Sequence, residues 1–328
     1  MPRLFHCPAP ARFALAALLA CLTLISAQPA QAESSLQDLF DARIRKNIDG
    51  ALAVIGIAAV PAETASTLVL NTGNNPDRTY DFQSAQLGGG FRLSDDIPIY
   101  MEGYLGWNRY DPVLLFSDTG TTSRLPFRWS SFAATGGIGY EFDLTPYLIL
   151  RPQLHVTLGR VQTDISVGTQ FVGNKLGIDT QALKNGGVTA GGLGGSVALA
   201  FNRRWDNDWE ADAILRHTQI MLEPIAGNKD LAGHAEAITT TLWTRLRQPT
   251  GQELWNRPIR WVYELSGSLL PGDQGEVLAT DWLAQIGAGV EVDFAETWVP
   301  WITTTRLVAR YTRGETLEGF SVGLAASF

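Results

Sequence analysis

Cysteine is nearly missing from this chain, and what little there is lies at its start. Cys7 and Cys21 fall within residues 1–32, where Arg3 and Arg12 precede an apolar run over 13–25 and Ala30-Gln31-Ala32 forms a small-x-small cleavage site. We read this stretch as a removed export signal. Without it the chain has no cysteine, which excludes disulfides, thiolate metal sites and a cysteine nucleophile. Beyond the signal nothing approaches the ~18 unbroken apolar residues of a membrane-crossing helix, so a helical inner-membrane protein is excluded. Basic clusters are absent as well. Lys and Arg number 25 against 33 acidic residues, and losing Arg3 and Arg12 moves the formal charge from −8 to −10, which argues against a nucleic-acid partner. Histidine is sparse: His155, His217 and His234 follow the signal. No HxH, HExxH or carboxylate group with ligand spacing occurs, so neither a metal nor another cofactor is implied.

What is present is alternation. The chain has 33 glycines and 10 tryptophans and a mean hydropathy of +0.01, the average expected when each strand is half apolar and half polar. At the carboxyl end Phe320, Val322, Leu324, Ala326 and Phe328 share one face and Gly319, Ser321, Gly323, Ala325 and Ser327 the other. Similar period-2 stretches cover residues 97–108, 131–142, 148–158, 259–269 and 282–294, with weaker ones over 80–91, 188–201, 209–222, 235–247 and 300–312. Residues 36–50 differ: Leu36, Leu39, Phe40, Ile44 and Ile48 recur at helical spacing and Gly50 offers a stop.

Counting residues 51–71 as one strand gives about twelve, an even number suited to a closed antiparallel transmembrane β-barrel. The expected domain plan is a signal over 1–32, a helix within 33–50 and a barrel over 51–328. If the last strand ends in the periplasm, the connections there are short (94–96, 143–146, 203–208, 248–256, 295–298). Those outside are long (110–124, 165–187, 223–234, 270–281), the asymmetry of outer-membrane barrels. Trp107, Trp129, Trp209, Trp261, Trp282, Trp298 and Trp301 fall near strand ends, where indoles form interface girdles. Lipid would face the apolar stripes.

Alternation also fixes what faces inward: Glu102, Glu141, Arg151, His155, Glu210, Asp212, Arg216, Arg245, Arg247, Arg260, Glu264, Glu291, Asp293, Arg306 and Arg310. Mixed charges in a narrow bore either pair across it or line a path for small solutes. The helix, carrying Asp38, Asp41, Arg43, Arg45 and Lys46, suits such a lumen, where it would meet carboxylates such as Glu291 and Asp293. An enzyme would need more than isolated histidines, and His217, on the lipid face, has no serine or asparagine partner identifiable by spacing.

An export signal, a short helix, about twelve strands and the terminal Phe328 together resemble the translocator β-barrel of autotransporters. With only residues 33–50 ahead of the barrel, the chain is similar to the solitary outer-membrane autotransporter-like β-barrel family. The match lies between Leu36-Gln37-Asp38-Leu39-Phe40 and Ile48-Asp49-Gly50. The resemblance implies an integral outer-membrane location, a helix within the pore, and recognition of Phe328 by the barrel assembly machinery. No passenger is expected. A structural or translocator-like role, a small-solute channel and, third, a phospholipase-like enzyme are the functions left open.

Overall fold

The structure, a computed structural model, describes residues 36–55, 64–72, 81–111, 113–118, 121–126, 128–164, 187–227, 232–293 and 304–327. A helix, α1 (Leu36–Ile55), leads into the strands, and residues from Phe40 onward form one unit. The strands are β1 (Thr64–Thr72), β2 (Asp81–Arg92), β3 (Ile99–Asp111), β4 (Val113–Asp118), β5 (Thr121–Pro126), β6 (Arg128–Tyr140), β7 (Phe142–Thr145) and β8 (Leu148–Asp164). There follow β9 (Gly187–Arg204), β10 (Glu210–Gly227), β11 (Ala235–Leu254), β12 (Arg257–Leu269), the short helix α2 (Asp273–Leu278), β13 (Trp282–Asp293), β14 (Thr304–Gly314) and β15 (Leu317–Ser327).

Twelve of these strands close one antiparallel barrel in the order β1-β2-β3-β6-β8-β9-β10-β11-β12-β13-β14-β15, with β15 returning to β1 through the register Thr64↔Ala325 to Thr72↔Leu317. Closure of the ring means that none of the twelve wall strands is an edge strand. β4 and β5 form a separate hairpin between β3 and β6, and β7 adds a short extra strand against β8.

The sequence alternation appears in space turned inside out. Along β3 the residues Tyr100, Glu102, Tyr104, Asn108 and Tyr110 are buried while Met101, Leu105 and Trp107 are exposed. The same inversion holds around the wall, where Leu154 is 71 %, Phe320 70 % and Leu193 69 % exposed. In water each such side chain would forgo roughly 1.5–3 kcal/mol of burial. The outer surface is therefore built for an apolar surrounding.

Several expectations require correction. The helix does not stop at Gly50 but runs through Ala51, Leu52, Ala53 and Val54, all buried, to Ile55. A Cβ on Gly50 would stand 2.5 Å from the Val277 Cβ. Gly50 is therefore a close-packing position and not a terminator. The strand expected over 51–71 begins at Thr64. The connection expected over 110–124 holds the end of β3 and most of the β4–β5 hairpin, which runs on to Pro126, and 270–281 contains α2. β11 continues through the expected 248–256 connection to Leu254, after a register shift between Pro249 and Glu253, and turns at Trp255 and Asn256, both with positive φ. Trp129 is no girdle residue: it faces inward, fully buried, with its ring centroid 5.4 Å from that of Tyr110. Trp298, Trp301 and Phe328 lie outside the described residues.

Candidate functional site

The lumen carries the chemistry, and its composition changes along the strands. One end of the barrel bears the connections at 165–186 and 270–281, the other the tight β9–β10 and β11–β12 turns; we call them the long-loop and short-turn ends. Reading inward-facing residues from long-loop to short-turn end, β10 runs Leu222, Ile220, Thr218, Arg216, Ile214, Asp212 and Glu210, and β11 runs Ala235, Ala237, Thr239, Thr241, Trp243, Arg245 and Arg247. β12, with Leu270 just beyond it, repeats the trend as Leu270, Ser268, Ser266, Glu264, Val262 and Arg260, and β14 adds Thr312, Arg310, Val308 and Arg306. Apolar gives way to hydroxyl and amide, then to charge.

At the long-loop end the bore is filled by the C-terminal half of α1 and by α2. Ile48, Ala51, Leu52, Ala53 and Val54 form one apolar cluster with Leu70, Phe82, Tyr110, Trp129, Val161, Val188, Ile220, Leu222, Val277 and Leu278. A helix buried on every side over one turn can only be surrounded by wall. Polar ties fix it there. Gln274, fully buried, donates from Nε2 to the Ala53 carbonyl at 2.8 Å and accepts from Thr239 Oγ1 at 3.0 Å, joining α1, α2 and β11. Tyr110 donates to the Val277 carbonyl at 2.8 Å. Asp49 accepts from the Gly233 amide at 2.6 Å, Asp273 from the Glu236 amide at 3.0 Å, and Lys46 pairs with Glu276 at 2.7 Å in an exposed position. Burial raises the Asp49 carboxyl above its ordinary range; the Gly233 bond opposes this, the neighbouring Asp273 adds to it, and Arg45 and His234 lower it again.

At the short-turn end arginines and carboxylates pair between strands and across the bore. Arg247 holds Glu210 at 2.5 Å and Asp212 at 2.8 Å, and Arg245 holds Asp212 at 2.6 Å. Arg260 bridges Glu291 at 2.5 Å and Glu210 at 3.1 Å, while Arg306 holds Glu291 at 3.0 Å and Arg310 holds Glu264 at 2.6 Å. Arg151 pairs with Glu141 at 2.5 Å and stacks 3.6 Å above the Tyr100 ring. Arg216 reaches from β10 to Glu102 on β3 with contacts of 2.5 and 3.2 Å. Asp293 is half-buried at the end of β13. Arg260 and Arg306 of the wall take the Glu291 carboxylate, and Lys46 of α1 pairs with Glu276 at the other end of the bore.

His155 is buried beside Ser196, which sequence reasoning had not singled out because no spacing links the two residues. His155 Nε2 lies 2.8 Å from Ser196 Oγ and Nδ1 lies 3.5 Å from Glu102 Oε1, distances that resemble a Ser-His-carboxylate triad. The surroundings work against that chemistry. Arg216 Nη2 also lies 3.2 Å from Nε2, and Ser196 donates to Gln153 at 3.2 Å. The Glu102 carboxylate is already engaged by Arg216. The base that would accept the serine proton is thus contested by a guanidinium. His217 is exposed and bonds Thr240 at 2.8 Å, and His234 is exposed at the long-loop end. Among the described residues no group of histidine, cysteine and carboxylates could hold a metal.

Neither a family model nor a curated protein matches this chain. Solved structures do. The transport unit of the autotransporter AIDA-I from Escherichia coli superposes with a TM-score of 0.46 at 10 % identity over 87 % of this chain and 99 % of that one. The β domain of the Bordetella autotransporter BrkA gives 0.44 at 16 % over 81 % and 99 %. The translocator domain of autotransporter NalP from Neisseria meningitidis gives 0.42 at 12 % over 91 % and 100 %. Porins are also similar, at comparably low identity.

Proposed function

We propose that this chain is an integral β-barrel of a Gram-negative outer membrane, exported by the signal in residues 1–32, with a bore that is closed at rest and a structural or translocator-like, non-enzymatic role. The apolar outer wall supports the membrane setting, and strands of 9 to 20 residues are long enough for a tilted crossing of ~9–11 residues. The filled lumen carries the reading. A helix packed among wall residues blocks one half and cross-bore ion pairs occupy the other, so no continuous aqueous path is needed to explain the inward charge. The short-turn end faces the periplasm, and Phe328 is what the assembly machinery reads.

Planar-bilayer recording tests this. The full chain should show low conductance, and the same chain lacking residues 36–55 behind its signal should still assemble and conduct strongly, because the ladders of the wall do not depend on the helix. Equal, low conductance from both would overturn the plug. Phe328→Asp should sharply lower the amount of protein in the outer membrane, and unchanged heat-modifiable barrel would remove the terminal aromatic from its proposed role.

A small-solute channel is the second reading. Between the plug and the charged belt lies a cavity of about 120 Å³ bordered by Ser84, Asn108 and Gln285, by apolar Leu68 and Trp243, and by Arg310. This mixed chamber would pass a small solute once α1 had moved. Liposome swelling that requires the helix deletion would support that reading.

A further inference from the structure

The β9–β10 turn, at the short-turn end, carries two exposed opposite charges that do not pair with each other. Arg204 and Asp208 close a pair at 2.7 Å. Their neighbours do not: Arg203 and Asp206 form no ion pair among the described residues. Arg203 is exposed, and its guanidinium carbon stands 4.9 Å from the centroid of the Tyr147 ring and 5.4 Å from that of Trp205. Stacking against two aromatic faces fixes a planar cation without neutralising it.

The turn itself is held firmly. Trp205 donates its amide to the Trp209 carbonyl at 2.9 Å, the Asp208 amide donates to the Trp205 carbonyl at 3.0 Å, and Asp208 takes a positive φ of 61°. Trp205, Asp206, Asn207 and Trp209 thereby border a concavity of about 480 Å³ whose far wall is Leu246. Arg203 pairs with Ala211 across the ladder, on the same outward face as Leu215, which is 47 % exposed. Leu246 also borders a second, apolar concavity of about 840 Å³ over the outer wall, lined by Ala211, Ala213, Ala288 and Ala309 and flanked by Phe201 and Tyr263. The rim concavity, with its acidic and aromatic lining, thus adjoins the oily groove through their shared residue Leu246.

We propose that this composite surface binds one glycerophospholipid with a zwitterionic phosphoethanolamine headgroup; this deepens the membrane-barrel reading and rests on it. Arg203 takes the phosphate. Asp206 and Asn207, between two indoles, take the primary ammonium, which a carboxylate bonds directly and aromatic faces attract. The alanine-lined groove takes an acyl chain. A headgroup bearing only negative charge would bring that charge against Asp206, so the pocket discriminates by the sign of the second charge.

The test uses the refolded full-length protein in detergent, offered equal amounts of phosphatidylethanolamine and phosphatidylglycerol with identical chains, and reads the lipid retained by native mass spectrometry. Wild type should retain phosphatidylethanolamine in about fivefold preference, the scale of one charge near a lipid headgroup. Asp206→Asn should bring the ratio to about one while total retention persists, and Arg203→Gln should lower retention of both lipids. Equal retention by the wild type, or a ratio that neither variant changes, overturns the site. Heat-modifiable migration and insertion into liposomes are checked in parallel. Failure to insert would overturn the membrane-barrel reading and this site with it, whereas insertion without selectivity would sink the lipid site alone.

Discussion

At the long-loop end the bore is filled by a helix packed against apolar side chains, and at the short-turn end by arginines locked to carboxylates. The apolar half owes its order to shape: Gly50 meets Val277 with no room for a Cβ, and Phe82, Tyr110 and Trp129 line the wall against α1 and α2. The charged half owes its order to compensation, since a desolvated guanidinium is tolerable only beside a carboxylate. The first filling is formed by segments that are not part of the wall and can in principle leave it. The second is made of the wall itself.

The largest effect is expected where compensation is removed. Glu291 is fully buried between Arg260 and Arg306. Glu291→Ala leaves two guanidinium groups short of charge and should cost about 3–5 kcal/mol, read as a lower denaturant midpoint for the refolded barrel. The sharper part of this prediction concerns the other half: protease access to α1 should not change. Release of the helix by Glu291→Ala would show that the two fillings are one cooperative unit.

The reverse experiment strikes the plug. Gly50→Leu places a side chain where Val277 already stands and should cost about 1–3 kcal/mol of packing. The loss should appear as faster proteolysis of α1 and as channel-like current in bilayers, with the unfolding midpoint of the wall held. A lowered midpoint without exposure of α1 would mean that the helix is integral to barrel stability. A similar effect, about 1–3 kcal/mol, is expected from Gln274→Leu, which deprives the Ala53 carbonyl and the Thr239 hydroxyl of their shared partner.

The comparison also explains what the sequence could reveal. Strands are legible because a wall with lipid-like surroundings on one side and a polar bore on the other imposes period two, and residues such as Glu102 and Leu105 on β3 declare their faces individually. The plug is not legible in that way. Continuation of α1 past Gly50 depends on Val277, more than two hundred positions away, and the six residues of α2 are too few to show a period. Trp129 carries the composition of a girdle residue, and only the three-dimensional neighbourhood of Tyr110 makes it core. Likewise the Ser196 contact of His155 joins two strands through register, which alternation on either strand alone does not specify.

The smallest expected effect concerns acidity at the seam between α1 and the long-loop rim. The Asp49 carboxyl is raised above its ordinary 3.8 chiefly by burial, with Asp273 of α2 adding to the rise, while the Gly233 amide, Arg45 and His234 oppose it. A carboxyl whose value is higher in the docked state favours docking fully below its undocked value. It loses that contribution as pH climbs through the raised one. Lowering pH from neutrality toward 4 should therefore slow hydrogen exchange of amides 48–54, after correction for intrinsic rates, with little change above neutrality. Asp49→Asn tests this: it keeps an oxygen acceptor for the Gly233 amide but cannot titrate, so its exchange should lose the acid-side slowing. An undiminished pH response in Asp49→Asn would take the effect away from this carboxyl, and Asp49 would then be only a hydrogen-bond acceptor for the rim.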